Sequence, residues 1–210
     1  MRIPDRTPTL NLCPELCLHM PEHRLLVISD VHMGRVQHMR RNGLAIPSAA
    51  AQKDLHTLVQ VISTYQPQCC LFLGDLFHSL PNSEWPQLFQ ALEEFGDMQF
   101  LLITGNHDRF VAPHLPPNWE QHSEWEIDGI RFCHEPSEKP GFEICGHIHP
   151  TYSLRGKGRQ TLRLPCFWLS EKRLILPAIS SLAGGYSINP EPGNRIYISN
   201  GTTVSEVTTP

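Results

Sequence analysis

Three short runs of apolar residues, 25–29, 69–73 and 100–104, are separated by two segments whose apolar positions repeat at helical spacing. Over 48–65, Leu55, Leu58, Val59 and Ile62 share one face, with Pro47 ahead and Pro67 behind, which predicts an amphipathic helix. A second helix is predicted from Ser83, with Pro86 in its first turn, Leu88, Leu92 and Phe95 on one face, and Gly96 as its stop. Continuous apolar runs suit strands buried on both faces, so this alternation of strand and helix implies parallel pairing through crossover helices. Residues 16–20, followed by Pro21-Glu22-His23, read as the first arm of a hairpin whose second arm is 25–29. The first dozen residues are polar and proline-rich and read as a loosely held lead-in.

The pattern changes from residue 124 onward. Residues 124–127 turn at Asp128-Gly129 into 130–133, and further short strands are predicted at 142–145, 162–169, 173–176 and 195–199. This half should be mostly antiparallel. No repeat, low-complexity tract or linker interrupts the chain, so the expected organisation is a lead-in over 1–15 and a single domain over 16–210. The simplest assembly is an α/β fold with a sheet-on-sheet core and helices outside. A chain of 210 residues can bury roughly 70% of its unfolded surface, so stability requires neither disulfides nor structural metals.

Composition narrows the function. Hydrophobic residues at 40% and charged residues at 18% exclude wholesale disorder and fibrous architecture. A formal charge of −4 removes any global field for polyanions or anionic lipid, so a polyanion would have to be held locally, by metals or a small patch. The seven cysteines form no regular framework and no Cys-x-x-Cys pair, which fits a reducing cytosol. Cys13 and Cys17 have no second pair near them, so buried small hydrophobes or free thiols suit them better than a metal site. With no signal peptide and no bilayer-length apolar run, a soluble cytoplasmic protein is expected. Twelve histidines exceed the usual complement, and histidine is the commonest metal ligand and the usual proton carrier near neutral pH.

Each early strand ends in a polar cluster: Asp30-Val31-His32, Gly74-Asp75, and Gly105-Asn106-His107-Asp108. His134 and Gly146-His147-Ile148-His149 follow at later strand ends. Ligands of open α/β sheets bind at the carboxyl ends of strands, so these clusters should converge. In Asp30-x-His32 and His147-x-His149 the i, i+2 spacing would put both members on one side of an extended chain. Taken singly, Asp-x-His is a capped strand end, Gly-Asp a turn and His134 a satisfied core histidine; together and in order they read as one site. Mixed oxygen and nitrogen donors suit a divalent transition ion such as Mn, Fe, Zn or Co better than Mg or Ca. Two Asp, one Asn and four His exceed one tetrahedral shell and suit two ions sharing a carboxylate, with one His to spare.

This ordered set, from about Leu25 to His149, resembles the calcineurin-like metallophosphoesterase superfamily, whose fold is two packed mixed β-sheets flanked by helices in four layers. The resemblance implies that Asp30, His32, Asp75 and His149 hold one ion, and Asp75, Asn106, His134 and His147 the other. His107 is then the general acid, with Asp108 either orienting it or facing outward as a turn residue, and a hydroxide held between the ions is the implied nucleophile. Further segments, Asp30-Val-His-Met-Gly-Arg35, 41–47, Gly74-Asp-Leu-Phe-His-Ser79, His134-Glu-Pro136, Leu164-Pro-Cys-Phe-Trp-Leu169, Leu176-Pro-Ala178 and Gly184-Gly185, are similar to the bacterial ligase-associated DNA damage response endonucleases of the PdeM family. That narrower likeness implies a metal-dependent DNA endonuclease, Mn²⁺ as the first choice of metal, and a DNA ligase, a helicase and an exonuclease as partners. One departure is Arg35, where lysine is expected; it keeps the charge but presents a planar fork.

Weaker signals surround the site. Arg35 and Arg109 directly follow ligand clusters and are candidate phosphate contacts, set against ordinary surface ion pairs. His78 could approach substrate or face solvent. Arg155, Lys157, Arg159 and Arg163 could track a nucleic-acid backbone or form an exposed glycine-punctuated turn. Trp119, Trp125 and Trp168 could stack bases, although core packing explains most aromatics. Alternatives to a phosphodiesterase acting on DNA are a small-nucleotide phosphodiesterase or phosphomonoesterase, and a metal-bound scaffold for DNA repair without turnover.

Overall fold

The computed structural model describes residues 1–4, 7–158 and 160–207. Its first sheet has the order β1 (Asn11–Leu12), β2 (Leu18–Met20), β3 (Leu25–Ile28), β4 (Cys69–Phe72), β5 (Gln99–Ile103) and β6 (Trp119–His122). β3 to β6 are parallel, while β1 and β2 add antiparallel at the edge. The second sheet takes β7 (Glu124–Ile127), β8 (Ile130–Cys133), β9 (Phe142–Cys145), β10 (Pro150–Arg155), β11 (Thr161–Leu169), β12 (Arg173–Ile175) and β13 (Tyr186–Ser187) in the order β13-β10-β11-β12-β9-β8-β7. β14 (Arg195–Ser199) branches from the long β11 and carries β15 (Val204–Val207). The predominantly antiparallel character of this half holds, but β8, β9 and β12 are parallel, so the sheet is mixed.

Strand alternation divides the core. Leu25 and Val27 of β3 face the second sheet, packing with Phe132, Ile144, Phe167 and Tyr197, whereas Leu26 and Ile28 face the helices. There they meet Leu58, Val61 and Ile62 of α2 (Ala49–Tyr65) and Leu88 and Leu92 of α3 (Glu84–Glu93). Both helices lie where the apolar spacing and flanking prolines predict. The far face of the second sheet carries small clusters around Cys166, Ile188 and Ile196, with no α-helix over it among the described residues. The hairpin at Asp128-Gly129 has both residues at positive φ, as a tight primed turn requires.

The expected loose lead-in is not loose. Ile3, Leu10 and Leu12 are fully buried in the inter-sheet core, and the Met1 ammonium donates to the Leu12 carbonyl at 2.6 Å. Prolines and polar residues mask these few apolar anchors, which join an existing core instead of forming their own. Cys13 and Cys17 are buried free thiols.

Candidate metal centre

β3, β4, β5, β8 and β9 end, in turn, at Asp30-x-His32, Gly74-Asp75, Gly105–Asp108, His134 and Gly146–His149, and the side chains meet between the sheets. The loops are laced together by backbone: the amides of Asp30, His32 and Met33 donate to the carbonyls of Gly74, Asp75 and Leu76 at 3.2, 2.9 and 2.8 Å. Alternation along an extended chain is not what pairs the donors. Asp30, His32, His147 and His149 all have left-handed backbones, as does Asp75, so two successive turns at i and i+2 bring each pair together. Close packing also explains two glycines. A Cβ on Gly74 would collide with the His134 ring, and one on Gly105 with the Asp75 carboxylate and amide.

Two groups of nitrogen and oxygen ligand atoms converge. In the first, the His149 Nδ1–H donates to the Ala183 carbonyl, leaving its Nε2 lone pair 3.0 Å from Asp30 Oδ1 and 3.3 Å from His32 Nε2. Asp30 Oδ1 is buried and accepts no hydrogen bond, while Oδ2 accepts from Ser29 Oγ at 2.5 Å and the His147 amide at 3.1 Å. In the second, the His134 Nδ1–H donates to the Leu73 carbonyl at 3.0 Å. Its Nε2 then confronts Asn106 Oδ1, His147 Nδ1 and Asp75 Oδ1 at 3.2, 3.2 and 3.4 Å. Asp75 reaches toward both groups, its Oδ2 lying 4.0 Å from His32 Nε2. Such converging acceptors, an orphaned carboxylate oxygen among them, fit divalent cations with mixed N and O shells.

Burial and mutual contacts pull the protonation of these donors in opposite directions. Burial disfavours a charged His134, yet its bond to Asp75 and the nearby Asp30 push its pKa up to about 9. Burial would raise Asp75, but the bond to His134 and the His107 amide hold it at about 2. His32, starved of solvent by burial, falls to about 3.

His107 is exposed; its amide donates to Asp75 Oδ1 at 2.9 Å and its Nδ1–H to the His78 carbonyl at 2.9 Å. That second bond fixes the tautomer and leaves Nε2 free toward solvent chemistry. Asp108 neither touches the His107 ring nor faces outward. It is buried, and its carboxylate accepts the amides of Gly105, Phe77 and Leu76 at 3.0, 3.0 and 3.4 Å, tying the third cluster to the second. Burial raises its pKa to about 6.

His78 is not a solvent-facing loop residue. Its ring lies 4.9 Å from His107, 5.3 Å from His32 and 5.2 Å from His38, and its Nδ1 is 3.4 Å from His32 Nδ1. Burial, then the Arg35 charge, lower its pKa to about 4.

Arg35 opens α1 (Arg35–Arg41), a helix with only Val36 buried that the apolar pattern does not reveal. The helix is capped from outside: Glu84 of α3 accepts the amides of Gly34 and Gln37 at 2.8 and 2.9 Å. Arg35 Nε is buried without a partner, and no acid pairs with the guanidinium among the described residues. Arg109 is exposed in the 105–111 turn and likewise unpaired among them.

The basic stretch divides. Arg155 and Lys157 are exposed at the tip of the β10–β11 hairpin, Arg159 lies outside the described residues, and Arg163 is consumed by Thr151 Oγ1 and the Gly185 carbonyl. Trp119 stacks on Phe72 and Phe100, Trp125 packs against Phe132, and Trp168 packs beside Cys145 and Ile175, so none is a free platform.

Donor clusters for divalent ions at the carboxyl ends of parallel strands, with unpaired guanidinium groups nearby, define a metal-dependent phosphoesterase. The chain belongs to the calcineurin-like phosphoesterase family, whose model matches residues 23–194. Among solved structures it is similar to the Pseudomonas putida nuclease MPE, with a TM-score of 0.81 and 26% identity over 99% of both chains. No curated protein matches it. No helix among the described residues is long and apolar enough to cross a membrane.

Proposed function

We propose that the protein is a dinuclear phosphodiesterase that cleaves DNA. The observation that carries the reading is the pair of facing acceptor groups with Asp75 reaching toward both. Asp30, His32, Asp75 and His149 would hold one ion and Asp75, Asn106, His134 and His147 the other. When bound, such ions supply Lewis acidity to the phosphate and lower the pKa of a water to near 7.

The chain's own residues do the rest. Arg35, desolvated and without an acid partner among the described residues, offers a planar fork to a non-bridging phosphate oxygen, and His78 stacks on His107 within reach of the Arg35 charge. Arg109 supplies a second, more exposed cation. With Nδ1–H held by the His78 carbonyl, the imidazolium form of His107 would carry its second proton on Nε2 and give it to the departing alkoxide, leaving the neutral Nδ1–H ring. Asp108 is a positioning residue acting through the backbone amides of Leu76, Phe77 and Gly105.

Mn²⁺ is the proposed metal and DNA the proposed substrate, the latter supported by similarity to a nuclease. A role in DNA repair, with a ligase, a helicase and an exonuclease as partners in a bacterial cytoplasm, follows from the likeness in sequence to ligase-associated endonucleases. The test is to strip the protein with chelator, restore Mn²⁺ and follow nicking of circular DNA beside a small phosphodiester, with His107→Ala as control. Nicking that needs both metal and His107 supports the reading. Cleavage of the small ester alone sinks the DNA assignment, and bound ions without turnover favour a scaffold.

A further inference from the structure

Six large hydrophobic side chains are exposed among the described residues, and three sit on the segments that build the metal centre. Leu80 lies two residues past His78, Phe110 three past His107, and the Tyr186 amide donates to the His149 carbonyl at 2.9 Å. Scattered exposed apolar residues are ordinary, but these three follow one site.

Phe110 and Tyr186 are 61% and 65% exposed on backbones that are themselves fixed. Phe110 stands between buried Asp108 and Val111, whose amide donates to the Asp108 carbonyl at 3.0 Å. Tyr186 is paired with Pro150 in the sheet, and its carbonyl accepts from Thr151 Oγ1 at 3.0 Å. Among the described residues neither ring packs on another aromatic, in contrast to Trp119.

We propose that Phe110 and Tyr186 are stacking platforms for nucleobases of the strand whose scissile phosphate the metal centre holds. The proposal rests on the phosphodiesterase reading above and adds what recognises the nucleosides. A phosphomonoester or an inorganic phosphate would leave both rings in water, whereas a strand held by one phosphate brings a base out on each side. The need is physical as well. At a net charge of −4, long-range attraction contributes little to holding a polyanion, so affinity beyond the metals must come from short-range contacts, and stacking accepts any base.

The test compares two substrates of equal length and charge, an oligothymidylate and an oligomer of abasic sites, with the full chain restored with Mn²⁺. The wild type should show a KM lower for the oligothymidylate, by about 5- to 150-fold for each ring that stacks. Phe110→Ala and Tyr186→Ala should each shrink that ratio, and the double variant should bring it to about one. Tyr186→Phe should keep the ratio, because the ring and not the hydroxyl does the stacking, while Phe110→Leu should lose it despite retaining apolar surface. Circular dichroism and metal content identify any variant that has failed to fold. Equal KM for both oligomers in the wild type, or an unchanged ratio in the alanine variants, overturns the stacking while leaving the nuclease reading intact. Hydrolysis of a small diester with neither oligomer cut overturns both.

Discussion

Removing the His107 imidazole should slow the departure of an alkoxide far more than that of a phenolate. The bond His107 makes to the metal centre does not come from its side chain: the His107 amide, which survives in His107→Ala, supplies the 2.9 Å bond to Asp75 Oδ1. Among the described residues the ring's hydrogen bond is that of Nδ1–H to the His78 carbonyl, so in the imidazolium form Nε2 holds the transferable proton. A positioned general acid contributes about 10²- to 10⁴-fold, or roughly 2.7–5.5 kcal/mol of barrier. All of it should be felt by a deoxyoligonucleotide, whose leaving oxygen is strongly basic. A bis(p-nitrophenyl) phosphate loses a stabilised anion and should slow by less than about 10-fold. The assay is kcat on both substrates, with bound Mn²⁺ quantified in the same samples. Equal losses on both would refute general acid catalysis. Equal losses with missing metal would instead make His107 a ligand, since its ring nitrogens lie within 4.8 Å of donors on His32 and His78.

Other consequences follow from particular contacts. Asp75→Asn should lower Mn²⁺ occupancy at both sites, read as stoichiometry by elemental analysis. For the wild type, chelation should lower the melting temperature, since an ion at 100 times its Kd stabilises by about 2.7 kcal/mol. Gly105→Ala should also cost occupancy, because its Cβ would displace the Asp75 carboxylate; unchanged stoichiometry would contradict the packing argument. Glu84→Ala removes the outside cap of α1, worth about 1–2 kcal/mol, and should raise KM for phosphodiesters through Arg35 while amide exchange over 34–41 quickens. Glu143→Gln should cost about 3–5 kcal/mol in urea denaturation, because the buried carboxylate pairs with Arg131 at 2.6 Å and Arg173 at 2.9 Å. Burial would raise the Glu143 pKa, but Ser137 and the two arginines hold it below the usual value. Its contribution is therefore complete above the unfolded pKa of about 4.3 and is lost as pH falls through the lower folded value, so Glu143→Gln should flatten the acid limb of a melting curve series.

Legibility in the sequence tracks how local each cause is. β3, β4, β5, α2 and α3 lie within a few residues of expectation because apolar runs and prolines specify them without help from afar. α1 does not, since a seven-residue helix with one buried side chain owes its order to Glu84, 50 positions from Gly34. β6 reads Trp-Glu-Gln-His, with no apolar alternation, and becomes a strand by pairing with β5 and laying Trp119 on Phe72 and Phe100. The donor clusters were visible because each is a short motif at a strand end. The docking of residues 1–12 was not, because Ile3 and Leu10 acquire meaning only against a core built elsewhere.

How the donors are aimed was the least legible feature, and it bears on how the centre works. Of nine non-glycine residues at positive φ among those described, five are Asp30, His32, Asp75, His147 and His149. A left-handed backbone costs an ordinary residue about 1 kcal/mol, but Asp and His adopt it more readily than most, so the ligand types themselves make these turns easier. Extended alternation would have aimed each pair for free, but along a strand whose neighbours occupy both sides. Turning the chain at the donors lifts them past the strand ends and into the crevice. The ladder from Asp30, His32 and Met33 to Gly74, Asp75 and Leu76 then ties that geometry down through the backbone. Divalent ions would thus meet donors already in place, and their binding energy would not be spent on ordering the loops.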